Sequence, residues 1–242
     1  MKKGYLILLF LNIAVFRLIA GDTIDRVDKN IGITKLTAKA YLIQSSYACN
    51  GMLDCNHLLV VDLQDIVLVN TPVNDSMTAI MLDCIEKKFK RKVTKVIVSH
   101  FHDDSSGGLQ ETAKRGITSY GLDKTRHLLM PEHKNIGHTF KDSLTISLQS
   151  IPLKLYYFGA GHSVDNIVTW MPGEKILFGG CLMKSMNSKD KGNIKDADLQ
   201  AWPVTVQKVK DRCKGAKVVI PGHQAIGNAS LFDHTIRIVK ME

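Results

Sequence analysis

The sequence predicts an α+β protein in which two β-sheets pack face to face with helices on both outer faces. Three observations predict it. The chain opens with short strand-like runs, its later strands alternate unevenly with helices that are apolar on one side, and no repeat, low-complexity tract or linker divides its 242 residues. Strands without intervening helices form antiparallel sheets, and one-sided helices need an outer sheet face to cover. Two packed sheets with helices outside both satisfy every apolar surface.

The elements follow in order. Lys2 and Lys3 precede a twelve-residue apolar run, residues 5–16, and Ala20 offers a small residue before Gly21. This is the layout of a secretory signal peptide over 1–20, too short to span a membrane comfortably, and it leaves 21–242 as a single domain. Residues 33–46 read as strand, with Thr37, Tyr41 and Ile43 among them. Residues 57–61 and 66–69 form two apolar runs joined by Asp62-Leu63-Gln64-Asp65, a hairpin. Met77, Ile80, Met81, Cys84, Ile85 and Phe89 recur at helical spacing. A buried strand, 93–99, ends at His100, and a short helix runs to Arg115. The stretch 116–150 carries no clear period. Strands follow at 153–158, 167–170, 176–178 and 218–220, with helices at 204–213 and 231–239.

Composition excludes some classes. Hydrophobic residues make up 45% and charged residues 23% of the chain, values of an ordinary globular protein. The net charge of +9 falls to +6 once Lys2, Lys3 and Arg17 leave with the signal. No nucleic-acid-binding module accompanies that charge, so nucleic acid is not an expected partner. Five cysteines leave at least one unpaired within the chain. In an exported protein a surviving thiol points to metal ligation or burial.

Chemistry gathers where strands end. His100, His102 and Asp104 occupy alternate positions just past a buried strand, and Gly107-Gly108 permit a tight return. Imidazole nitrogen and carboxylate oxygen both suit zinc. His162 lies in the glycine-flanked segment Gly159-Ala160-Gly161-His162, Cys181 follows Phe178-Gly179-Gly180, and His223 follows Pro221-Gly222. Each of these residues follows an apolar strand run, which collects them at one sheet edge. His57, His127, His133, His138 and His234 fit no such motif and read as surface or structural. Cys84, Cys213, Trp170 and Trp202 read as core.

On these motifs the chain resembles class B metallo-β-lactamases, subclass B1. The shared stretches are His100-Phe101-His102-Asp103-Asp104, Gly161-His162 through Asp165-Asn166, Gly179 through Ser185, Gly192-Asn193 through Trp202-Pro203, and Pro221-Gly222-His223. The resemblance implies the metallo-β-lactamase fold, an αββα sandwich of two packed mixed β-sheets, with two Zn2+ per chain. His100, His102 and His162 would hold the first ion, and Asp104, Cys181 and His223 the second. It implies hydrolysis of the β-lactam amide bond by a metal-bound hydroxide, with Lys184 meeting the substrate carboxylate, Asn193 near the lactam carbonyl and Asp104 handling a proton. It also implies a periplasmic monomer that acts on small-molecule β-lactams and has no stable membrane association.

Three departures stand out. Asn70 replaces the aspartate usual beneath the metals, Val73 follows where an aromatic is common, and the loop 47–57 looks short. Export permits a disulfide between Cys49 and Cys55 across that loop, with two free thiols, or one paired with a different cysteine, as the alternatives. Two other functions compete. A thioesterase-, lactonase- or phosphodiesterase-like member of the superfamily is opposed by Ser105 and Cys181, where those enzymes carry His and Asp. A zinc-binding protein without catalysis draws support only from Asn70.

Overall fold

The structure, a computed structural model, describes residues 24–241, so the signal peptide expected over 1–20 lies outside the described residues. In chain order the elements are β1 (Asp25–Asp28), β2 (Ile31–Lys35), β3 (Ala40–Ser45), β4 (Cys55–Val61), β5 (Ile66–Val69), α1 (Asp75–Phe89), β6 (Lys95–Ile97), α2 (Asp103–Ser106) and α3 (Leu109–Lys114). These are followed by β7 (Thr118–Leu122), α4 (Asp123–Leu129), β8 (His138–Phe140), β9 (Ser143–Ser147), β10 (Pro152–Tyr157), β11 (Ile167–Met171), β12 (Ile176–Gly180), α5 (Ala201–Arg212), β13 (Val218–Pro221) and α6 (Ser230–Lys240).

Strands β1 to β8 form one sheet in sequence order, and the second sheet runs β13-β12-β11-β10-β9. Pairing is antiparallel from β1 to β5 and parallel from β5 to β8; in the second sheet only β12–β13 is parallel. Alternation along the strands sorts side chains into layers. Leu58 and Val60 of β4 join Leu153, Leu155, Ile167 and Phe178 between the sheets. Leu59, one residue out of phase, packs outward with Met77, Met81 and Ile85 of α1. On the far side Val168, Leu177 and Val219 pack against Trp202, Val206 and Val209 of α5 and Leu231 and Phe232 of α6. Helix, sheet, sheet and helix are thus stacked as the sequence predicts. Among the described residues no helix is long and apolar enough to cross a membrane.

The strand expected over 33–46 is a hairpin instead. It turns between β2 and β3, where the Thr37 hydroxyl accepts from the amides of Lys39 and Ala40 at 3.2 and 3.1 Å. Helix α1 starts where Asn74 caps it, its side chain accepting from the Met77 amide at 2.8 Å. Helix α5 begins at Ala201, three residues ahead of the expected start, and so takes in Trp202. The unreadable stretch 116–150 holds β7, α4, β8 and β9.

Candidate metal centre

Both sheets deliver their loops to one edge. Apolar Val96, Ile97 and Val98 bury β6 and its continuation, and the chain then emerges at His100, with His102 and Asp104 on the one-turn helix α2 and its start. His162 precedes β11, Cys181 follows β12 directly, and His223 lies two residues past β13. Four hydrogen bonds hold these loops across the two sheets. The Ile167 amide donates to the Ser99 carbonyl at 2.8 Å, the Asn56 amide donates to the Gly222 carbonyl at 2.8 Å, and the Asn56 side chain donates to the Pro221 and Gln224 carbonyls.

Glycines here serve close approach. A Cβ on Gly222 would sit 2.4 Å from the Cys181 sulfur, so only glycine lets β13 present His223 beside that thiol. Gly107 and Gly108, expected to permit a tight return, have the same use. Their Cβ atoms would meet the Val73 carbonyl at 2.3 Å and the Thr78 hydroxyl at 1.9 Å.

Two groups of donor atoms result. Ligand atoms of His100, His102 and His162 lie within 4.8 Å of one another, as do those of His100, Asp104 and Cys181. His223 joins the second group through Asp104: its Nε2 lies 2.9 Å from Asp104 Oδ2, which also accepts from the Cys181 thiol at 3.0 Å. All six residues expected as ligands therefore meet at one edge. The pocket beside them, about 380 Å³, is lined by Cys181, Lys184, Ser185, Asp190, Gly192 and His223. Lys184 Nζ stands 5.5 Å from the Trp202 ring centroid. Asn193 is exposed, and its side chain accepts from the Lys195 amide at 3.1 Å.

The donor set fits a cation. His100 Nε2, His162 Nδ1 and Asp104 Oδ1 are buried without any hydrogen-bond partner, a cost that a ligand would remove. His102 Nδ1 and His162 Nε2 approach to 3.1 Å. Two nitrogens each about 2.0–2.1 Å from a tetrahedral zinc ion stand roughly 3.3 Å apart, so the pair is spaced as ligands are. Burial, reinforced by His100, His102 and Lys184, lowers His162 to about 2, and burial also lowers His100. Both rings are neutral at pH 7 and carry lone pairs. Burial and the Asp104 charge push the Cys181 thiol up to about 11. Burial works against it, but its coupling to Cys181 and its hydrogen bond to Asp104 hold His223 well above an ordinary imidazole. A cation entering here displaces those protons.

Sequence reasoning missed one contributor. Asp196, on the loop before α5, accepts from His102 Nε2 at 2.9 Å. That fixes the ring so that Nδ1 faces His162, the orienting role carboxylates take behind metal-binding histidines. His57 is structural as expected, and it is wholly buried beneath the site. Its Nδ1 donates to the Asn70 carbonyl at 3.2 Å, which leaves Nε2 to accept from Ser45 at 2.8 Å, and burial lowers it to about 4. Asn70 itself, left-handed at φ +66°, accepts from the Ser99 amide at 2.9 Å and the Ser105 hydroxyl at 2.7 Å, so it braces the segment from Ser99 to Ser105.

Of the alternatives open for Cys49 and Cys55 the structure has the free thiols, and all five cysteines are free. Cys55 opens β4, where pairing with Ser45 turns it inward to place its sulfur 3.8 Å from His223 Nδ1, while Cys49 is exposed. The loop is held by Asp54 instead, which accepts from the Tyr47 amide at 2.7 Å on its carboxylate and from His223 Nδ1 at 3.0 Å on its carbonyl.

Known proteins resemble this chain in sequence and fold. The family model described as metallo-beta-lactamase superfamily matches residues 72–223. The chain is 40% identical over 222 residues to the metallo-beta-lactamase type 2 of Bacteroides fragilis, covering 88% of this chain and 87% of that protein. It is 32% identical to the protein of the same name from Bacillus cereus, covering 90% and 82%. Among solved structures, a metallo-beta-lactamase from Pontibacter korlensis superposes with a TM-score of 0.83 at 32% identity, over 88% of this chain and all of that one.

Proposed function

Because the chain belongs to the metallo-β-lactamase superfamily, we propose that it is a zinc-dependent hydrolase that opens the β-lactam amide bond and so confers resistance to β-lactam antibiotics. The observation that carries this reading is the meeting of a three-histidine group and an Asp104–Cys181–His223 group at one sheet edge, beside a pocket holding Lys184. In this reading two zinc ions bind per chain, the first at His100, His102 and His162 and the second at Asp104, Cys181 and His223. Residues 1–20 direct export to the periplasm, and 21–242 act as a single-domain monomer.

Zinc at such a site supplies a Lewis acid and lowers the pKa of bound water to about 7. The chain's own groups do the rest. Lys184, whose pKa burial lowers, offers its ammonium to the substrate carboxylate from a partly dry pocket, where the charge is poorly screened. Asn193 brings an amide toward the lactam carbonyl once its loop turns to substrate. Asp104, whose carboxyl is kept far below the usual range by His100 and His223 despite its burial, would hold its metal as a carboxylate, and the proton taken up by the nitrogen released on ring opening would come from the attacking water, with Asp104 as its relay. Cys181 and His223, both bonded to Asp104 or in contact with it, keep that carboxylate in place.

A chromogenic β-lactam assayed with and without a chelator tests the reading, together with zinc analysis of the loaded protein. Rapid hydrolysis lost on chelation and two zinc ions per chain are expected. No turnover by the loaded protein would leave a zinc-binding protein, and turnover of thioesters or lactones instead would move it to another branch of the superfamily. Full activity at one zinc per chain would remove the two-metal part. Lys184→Ala is expected to raise KM for carboxylate-bearing β-lactams about tenfold or more with kcat little changed, since the lost contact is made in ground and transition states alike. A fall in kcat at constant KM would contradict the role given to Lys184.

A further inference from the structure

The pocket beside the metal centre holds opposite charges that do not pair. Lys184, Lys189 and Asp190 all line it, and Asp190 is its one carboxylate among the described residues. Lys184 is half-buried, and its ammonium stands over the Trp202 ring. Among the described residues no carboxylate lies within 4.0 Å of that ammonium. Lys189 is exposed, and the neighbouring Lys191 is drawn away from the pocket by its bond to the Met241 carbonyl.

Gly192 sets the spacing of Lys184 and Asp190. Asp190 Oδ1 accepts from the Gly192 amide at 2.9 Å, and among the described residues its Oδ2 has no partner. Lys184 Nζ lies 3.1 Å from where a Cβ on Gly192 would stand, so that residue's lack of a side chain leaves the ammonium its place. Standard backbone dimensions then keep Asp190 Oδ1 and Lys184 Nζ no more than about 8.5 Å apart. The two charges share one cavity, anchored to the same residue, yet stand too far apart to neutralise each other directly.

Separated opposite charges around one cavity suit a ligand that carries the complementary pair. A cephalosporin with a quaternary nitrogen on the substituent beside its ring carboxylate has its anion and cation only a few bonds apart. With the carboxylate on Lys184, such a cation comes within reach of Asp190. Without Asp190 it would meet the positive charges of Lys184, Lys189 and any metal held beside them. Resting on the β-lactamase reading above, we infer that Asp190 is a specificity-determining residue, an anionic subsite that favours zwitterionic β-lactams over those whose corresponding substituent is uncharged. Its role is selection by charge complementarity at the pocket rim.

Asp190→Asn tests this, because it keeps the shape and the acceptor for the Gly192 amide and removes only the charge. The substrates are two cephalosporins with the same acyl side chain, one bearing a pyridinium and the other an acetoxy group on the methylene beside the ring carboxylate. In the zinc-loaded variant, KM for the pyridinium compound is expected to rise about two- to fivefold, the range usual for an exposed ion pair, while KM for the acetoxy compound stays level or falls. The shift in the ratio of the two KM values is expected to shrink as added salt screens the pair. A ratio that Asp190→Asn leaves unmoved or reverses, or that moves equally at high salt, overturns the inference. So does a ratio that moves in Asp190→Ala alone, since that variant also removes the bond to Gly192 and would mark Asp190 as a brace of its loop. A loaded parent chain that hydrolyses neither compound overturns the β-lactamase reading and this inference with it. A parent that hydrolyses both, at a ratio Asp190→Asn does not move, overturns the inference alone.

Discussion

Trp202→Ala is expected to lower the melting temperature of the metal-free chain by roughly 6–20 °C, following from a loss of about 3–5 kcal/mol for emptying a large buried aromatic site and the shift per kcal/mol usual for a chain of this size. Trp202 is wholly buried on the first turn of α5, in the layer that joins that helix to the second sheet. Its indole N–H donates to the Leu182 carbonyl at 2.8 Å, one residue past Cys181. The ring also packs edge-on against His162, with centroids 5.6 Å apart. Truncation therefore empties a core site, leaves a buried carbonyl unpaired and frees two candidate ligands at once. Thermal melting checks it, and a shift below about 3 °C would mean the layer closes over the gap. Trp202→Phe should fall between, because it keeps most of the volume and loses the donor.

Asp104→Ala is expected to cut kcat about 10²- to 10⁴-fold, the range usual for a group that transfers a proton in the rate-determining region, and to drop zinc content from two per chain toward one. Both effects share an origin. Asp104 is the acceptor on which Cys181 and His223 converge, and His100 Nε2 lies 3.4 Å from its other oxygen. Without it, a sulfur and an imidazole remain with nothing between them to anchor a second ion. The three-histidine group keeps all its members, so the first ion should stay. Steady-state kinetics with metal analysis of the same preparation decides this, and two zinc ions bound at parental affinity would remove Asp104 from the ligand set.

The candidate ligands were legible because each follows an apolar run. Burying 93–98, 176–178 and 218–220 as neighbouring strands leaves His100, Cys181 and His223 at their ends with no freedom to be elsewhere. Other features were hidden for physical reasons. β1 is polar and half exposed at a sheet edge, so Asp25–Asp28 gives no alternation to read. β8 has three residues and β9 alternates only weakly, which is why 116–150 looked shapeless. The β2–β3 turn lacks glycine and proline, and its signal is one threonine hydroxyl. Asp196 meets His102 across 94 positions of sequence, a contact that only the packed sheets create. The unpaired state of Cys49 and Cys55 turns on which way one residue of β4 faces, and no spacing rule records that.

The cross-sheet origin of the donor groups bears on how long the protein survives. With all five cysteines free, no covalent cross-link beyond the backbone itself joins one sheet to the other. His100, His102 and Asp104 belong to the first sheet's loops, and His162, Cys181 and His223 to the second's. Metal bound among them is therefore a removable staple that closes a long stretch of chain, as a disulfide would, and restrains the unfolded ensemble only while it is held. Its contribution grows with the logarithm of free metal concentration, so the lifetime of the folded chain is set by its surroundings as well as by its sequence. A host that withholds zinc would strip away the catalyst and its durability together.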